Sequence, residues 1–171
     1  FSGDKVLGGP QAGIICGTRT AIDRLKKNPL LRALRINKQS LAILEEILCV
    51  YRDRKHPEEK IPVLQMLSTP IETLAQNAAE LAEKLTQIDG VSAEVGDDHG
   101  YSGGGALPDQ KIPTKVVYVA IKDLAPDQIA YRMRYCGVVG RIRDDRFLLD
   151  LRTVREDDLF QIEDAARLST Q

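Results

Sequence analysis

The chain has 171 residues, 43% of them hydrophobic and 29% charged, with a formal net charge of −1. That balance suits one sizeable soluble domain, or one domain with part of another, and exerts no overall electrostatic pull on nucleic acid. No apolar stretch is long enough for a transmembrane span, and three cysteines without paired spacing beside two histidines argue against a disulfide framework or a metal centre and for a reducing cytoplasm.

The opening segment, Phe1-Ser2-Gly3-Asp4-Lys5-Val6-Leu7-Gly8-Gly9-Pro10-Gln11-Ala12-Gly13, embeds a single lysine among small, turn-forming residues. This is the setting a lysine needs to hold an aldehyde cofactor. Its amine must reach into a pocket, partly desolvated, from a well-placed loop. Gly8 and Gly9 read either as a tight turn or as backbone able to approach a cofactor phosphate. Val6-Leu7 and Ala12 to Cys16 read as short buried strands flanking that turn. There is no initiator methionine and no basic-then-apolar leader, and the chain opens within a motif, so a fragment is expected.

A helix is expected from Thr18 or Thr20 to Lys27, with Ile22 and Leu25 inward, ended by Asn28-Pro29. Arg32 and Arg35 follow at an i, i+3 interval, able to share one helical face. Lys38 to Asp53 forms a longer helix with a wide apolar set (Leu41, Leu44, Leu48 and Tyr51, flanked by Ile43, Ile47 and Val50). Such a helix is expected to be buried on more than one side. A charged linker runs from Arg52 to Lys60. Thr69-Pro70-Ile71-Glu72 reads as an N-cap with proline in the first turn, followed by Ile71, Leu74, Ala78, Leu81, Leu85 and Ile88 at helical spacing up to Asp89-Gly90.

Beyond Gly90 the pattern turns to α+β. Val91 to Val95 is a strand candidate, Gly96 to Gly105 a loop, and Thr114 to Ile121 a strong strand. Pro126 opens a helix to about Tyr135. Gly137 to Arg143 and Arg146 to Arg152 form a hairpin around Asp144-Asp145, with Phe147, Leu149 and Leu151 on one face. Thr153 to Glu156 reads as a capping box for the last helix. The result is a small sheet covered by helices on one side.

Several segments, in order, resemble the bacterial selenocysteine synthases, the L-seryl-tRNA(Sec) selenium transferases. Ser2 to Lys5 with Leu7 to Gly13 resembles their cofactor-lysine segment, and Pro29 to Lys38 their arginine-bearing stretch. Lys60-Ile61-Pro62 with Met66-Leu67 is similar to their linker signature. Gly103 to Pro108 resembles their glycine loop. Val139 to Ile142 with Leu148 to Arg152 resembles their terminal hairpin. The resemblance covers nearly the whole chain and implies the carboxy-terminal portion of a fold-type-I pyridoxal phosphate (PLP) transferase, α+β in class. Residues 1–37 would end the large cofactor domain, 38–62 would be a linking helix and linker, and 63–171 a small α+β domain.

The resemblance further implies conversion of seryl-tRNA(Sec) to selenocysteinyl-tRNA(Sec), with selenophosphate as donor. Lys5 would bear the cofactor and act as general base, Gly8 and Gly9 would adjoin the cofactor, and Arg32 and Arg35 would bind the selenium donor. A homo-oligomeric ring of dimers and an inactive isolated fragment are also implied. The alternatives are a related fold-type-I lyase acting on a small amino acid or sugar acid, and a non-catalytic small domain serving oligomer contacts. The cysteines read as buried apolar residues, and His99 as part of a polar loop. Arg132, Arg134, Arg141, Arg143, Arg146 and Arg152 read as a solvated sheet edge, without an aromatic platform beside them.

Overall fold

The computed structural model describes residues 1–53, 56–102 and 111–170. The chain divides into two compact units, Phe1–Ser68 with Ser102–Pro108, and Thr69–Tyr101 with Asp109–Gln171. The glycine loop at Gly103 to Gly105 lies outside the described residues.

The first unit opens on a looped segment and continues through α1 (Arg19–Lys26), α2 (Leu30–Ala33), α3 (Lys38–Arg52), α4 (Pro57–Lys60) and α5 (Pro62–Ser68). Thr18 caps α1 by accepting from the Ala21 amide, and Asn37 caps α3 through Ser40. Three expectations fail here. The segments around Gly8-Gly9 are not strands; Ser2 and Gly13 form a single bridge and the residues between them turn. The broad apolar set of α3 is not buried on several sides. Leu44 alone is buried, while Leu41, Ile43 and Leu48 are exposed, Leu41 by 57%. Nor does α1 bury Ile22 or Leu25. Among the described residues of this unit, Ala12, Leu44 and Ile61 are the buried apolar ones.

The second unit holds α6 (Ile71–Thr86), β1 (Val91–Gly100), β2 (Ile112–Ile121), α7 (Pro126–Tyr135), β3 (Arg141–Arg143), β4 (Arg146–Asp150) and α8 (Leu159–Ser169). The strands form one antiparallel sheet in the order β1-β2-β4-β3. Val91 and Ala93 of β1, Val117, Val119 and Ile121 of β2, and Phe147 and Leu149 of β4 face the core. Leu74, Leu81 and Leu85 of α6, Ile129 and Met133 of α7, and Ile162 and Ala166 of α8 fill it from the helical side. Each large apolar side chain buried this way contributes about 1.5–3 kcal/mol.

β1 runs to Gly100, well past Val95, because all ten of its residues pair with β2. His99 therefore belongs to a strand and packs edge-on against Tyr101. The Asp144-Asp145 turn has both residues at positive φ, the two-residue hairpin geometry whose twist matches the flanking strands. α6 starts one residue later than the sequence pattern implies: Pro70 occupies the cap position and the Thr69 carbonyl accepts from Arg152. Thr153 does not cap the last helix either. Its hydroxyl donates back to the Asp150 carbonyl, short 3-10 turns follow, and α8 begins at Leu159.

The even-numbered face of the sheet carries a lattice of charges over buried Val116 and Leu148. Arg141 bridges Asp98 and Asp150, Arg143 also pairs with Asp98, and Arg146 bonds Glu94 while lying 3.8 Å over the Tyr118 ring. The Tyr118 ring in turn lies where a Cβ on Gly96 would stand, so glycine is required there. Arg152 donates to the carbonyls of Thr69 and Pro113. This face is thus ion-paired rather than merely solvated.

Asp98 is the most enclosed member, its side chain 3% exposed. Burial pushes its pKa up, but the His99 amide, Arg143 and Arg141 outweigh that and hold the carboxyl below its ordinary value. A lowered folded-state pKa gives stability that is present above the unfolded value of about 3.9 and is lost as pH falls through the folded value. Thermal melting across an acid series should therefore show stability dropping below about pH 4. Asp98→Asn is expected to cost about 1–3 kcal/mol at neutral pH and to flatten that acid dependence; an unchanged acid profile in the variant would assign the effect elsewhere.

Candidate functional site

The lysine segment folds on itself through backbone bonds. The Gly3 amide donates to Ala12 at 2.8 Å, the Ile14 amide to Phe1 at 2.9 Å, the Gly9 amide to Gly3 at 2.8 Å and the Gly8 amide to Lys5 at 2.9 Å. Ser2 Oγ donates to Asp4 Oδ1 at 2.8 Å. The result is a closed turn with Lys5 at its exposed outer side.

Two glycines are required by packing. A Cβ on Gly3 would stand 2.4 Å from the Pro10 carbonyl oxygen. Gly8 combines φ +75° with a neighbour, Ile61 Cγ2, only 2.3 Å from where its Cβ would be. Ile61, between α4 and α5, is itself almost wholly buried. From α3, the Tyr51 hydroxyl donates to the Leu7 carbonyl at 3.1 Å, with the Val6 carbonyl at 3.4 Å. Burial raises the Tyr51 phenol, which keeps the donor proton in place.

Lys5 lines a cavity of about 540 Å³ with Asp4, Val6, Gly8, Gly9, Pro62, Val63, Leu67 and Ser102, all within the first unit. Lys5, Gly8 and Gly9 are therefore brought together. The amides of Gly8 and Gly9 are already spent inside the turn, on Lys5 and Gly3. Arg32 and Arg35 do not line this cavity. α2 ends at Ala33, so Arg35 falls beyond the helix and the two do not share a helical face. Both are exposed and, among the described residues, neither has an acidic partner in Asp23, Glu45 or Glu46.

Sequence reasoning missed the residues that support the turn. Tyr51 reads as one more apolar position of α3, and Ile61 as part of a linker. The one available signal was the Ile61-Pro62-Val63 run, whose apolar character is out of place in a charged connection. Cysteine placement also differs from expectation: Cys16 is exposed and Cys49 and Cys136 are half-buried. Among the described residues no group of His, Cys, Asp and Glu is arranged to hold a metal ion, and no helix is long and apolar enough to cross a membrane.

A sequence model described as L-seryl-tRNA selenium transferase matches residues 1–155. The chain belongs to the L-seryl-tRNA selenium transferase family. It is 45% identical over 169 residues to the L-seryl-tRNA(Sec) selenium transferase of Hyphomonas neptunium, covering 98% of this chain and 36% of that protein. The enzyme of the same name from Alkaliphilus metalliredigens is 41% identical over 170 residues, with 98% and 36% covered. That from Aquifex aeolicus is 42% identical over 160 residues, with 92% and 35% covered. The chain thus spans about a third of the length of these relatives. Its α+β architecture is the one the family resemblance implied.

The lysine turn makes a direct structural demand. Gly8→Ala must place a methyl group into Ile61 at a left-handed backbone position, with an expected cost of about 1–3 kcal/mol. Hydrogen exchange should quicken at the Gly8 and Gly9 amides. Gly13→Ala, with nothing within 4 Å of its Cβ, should leave both unchanged. Equal exchange in the two variants would remove the Ile61 seat as the cause.

Proposed function

We infer that this chain supplies the cofactor lysine and the small α+β domain of an enzyme converting seryl-tRNA(Sec) to selenocysteinyl-tRNA(Sec). The observation that supports it is the placement of Lys5. In a chain whose relatives are named for that reaction, this lysine opens on a cavity beside a turn held by Gly8, Ile61 and Tyr51.

The residues fit the aldehyde end of pyridoxal phosphate: an amine on a firmly held turn, facing a cavity walled by Val63 and Leu67. They do not offer its phosphate a free amide at Gly8 or Gly9, so the glycines serve by admitting Ile61 and shaping the turn. When bound, pyridoxal phosphate supplies an electron sink for bond cleavage at the seryl Cα and Cβ. The part of Lys5 is to hold that group and, as a neutral amine, to take the Cα proton at Nζ. Tyr51 holds the turn through the Leu7 carbonyl and so keeps Nζ on a fixed path.

Arg32 and Arg35 are proposed to bind the selenium donor, selenophosphate. Exposed guanidinium groups without an acidic partner suit forked contact with phosphate-like oxygens. The activity belongs to a protein of the relatives' length, assembled as a homo-oligomer in the cytoplasm; the present chain by itself is inactive.

In a protein of that length carrying this segment, Lys5→Ala should lower selenium transfer by at least about 10²-fold, from loss of the general base alone, and abolish borohydride trapping of the cofactor. Arg32→Gln with Arg35→Gln should raise the KM for selenophosphate. Undiminished transfer with Lys5→Ala would rule out the assignment of Lys5, and a stable Lys5-dependent cofactor absorbance in the isolated chain would rule out its inactivity.

A further inference from the structure

We propose that the outer face of α7 docks single-stranded RNA, with Tyr131 and Tyr135 as stacking platforms for bases and Arg134 as the phosphate contact. α7 commits Ile129 and Met133 to the core and leaves Tyr131, Arg134 and Tyr135 exposed. Tyr131 is 73% and Tyr135 86% exposed. At an i, i+4 interval their Cβ atoms stand about 6 Å apart on one face, a separation over which successive bases can meet successive rings. So much aromatic surface left in water is uncommon on a helix whose other face is well packed, and aromatic faces that stack bases need no sequence-specific bonding.

Charge selects the partner. Of the arginines in this unit, Arg141, Arg143, Arg146 and Arg155 each pair with a carboxylate, and Arg152 is engaged by two backbone carbonyls. Arg134, and Arg167 on α8, are exposed and have no ion pair among the described residues. Arg132 points the other way, half-buried, donating to the Ser169 carbonyl at 2.7 Å; it too keeps its charge without a carboxylate among the described residues. Arg132 lines a cavity of about 310 Å³ with Tyr131, Tyr135, Cys136, Leu168 and Ser169; Arg134 lies outside it, on the exposed side of the helix beside the two tyrosines. Asp127 is the acidic residue on the tyrosine face, one turn earlier, at the positive end of the helix dipole. Two rings and uncompensated positive charge match a polyanion with open bases. An apolar protein segment would match them less well, because Leu168 is the one large aliphatic side chain lining the cavity. A duplex hides its base faces, so the surface fits the unpaired part of an RNA.

The proposal rests on the reading that this chain belongs to an enzyme acting on a tRNA, and it assigns that RNA a contact. It is tested on the chain itself by fluorescence anisotropy with labelled oligocytidylate, and with a duplex RNA of the same length as comparison. Wild type should bind the single strand better than the duplex. Tyr131→Ala and Tyr135→Ala should each weaken binding about tenfold, and Tyr135→Phe should restore it, since the ring rather than the hydroxyl stacks. Arg134→Gln should weaken binding and reduce the salt slope by about 0.7. Circular dichroism should be unchanged, because these side chains are outside the core. Failure of the wild-type chain to bind, equal affinity in the alanine variants, or equal affinity for the duplex each overturns the proposal. So does self-association that the alanine changes disperse without any loss of RNA binding, which would make the face a contact between copies. The assay involves no chemistry at Lys5, so failure to trap a cofactor there and failure to bind oligocytidylate are separate outcomes.

Discussion

Strand β2 is buried on both faces, and the second unit is organised around that constraint. Val117, Val119 and Ile121 point into the helical core, while Val116 and Thr114 are equally enclosed on the opposite face. A strand buried twice must lie inside a sheet, with β1 on one side and β4 on the other. Each face then needs its own cover. One is closed by three helices. The other carries long arginine side chains whose charges are met by Asp98, Asp150 and Glu94. Enclosing Asp98 is tolerable only because two guanidiniums and a backbone amide satisfy it.

The lysine turn obeys a different constraint. Its backbone is tied by hydrogen bonds across Gly3, Gly8 and Gly9 and seated on Ile61, with Tyr51 holding the Leu7 carbonyl. Each of these glycines has a structural duty before any chemical one. Lys5 is presented by a hydrogen-bonded frame even though it is itself exposed. The frame uses up its own amides, and this limits what it can offer a phosphate.

The arginines show how one residue type divides by context. Those on the sheet face are neutralised in place, and Arg152 is absorbed by backbone carbonyls. Arg32, Arg35 and Arg134 keep their charge exposed. No property of the isolated residues separates these groups; the separation comes from which carboxylates the fold brings within reach.

Much of the local structure was legible in the chain alone. The 3.6-residue spacing of Leu74, Ala78, Leu81 and Leu85 determined α6, Asn28-Pro29 and Pro126 marked helix limits, and Asp144-Asp145 marked the hairpin turn. The setting of Lys5 among glycines marked a turn, and Lys5, Gly8 and Gly9 do line one cavity. These features depend on neighbours a few residues away, so their physics is written locally. The tertiary structure decided what depends on distant partners. It set the full length of β1 through its pairing with β2, and it diverted Thr69 and Thr153 from capping to other bonds. It also left Leu41, Ile43 and Leu48 of α3 exposed, and it recruited Ile61 and Tyr51 to support a turn that lies about fifty residues earlier. Spacing encodes which face a residue occupies, but only the folded chain decides what waits on the other side.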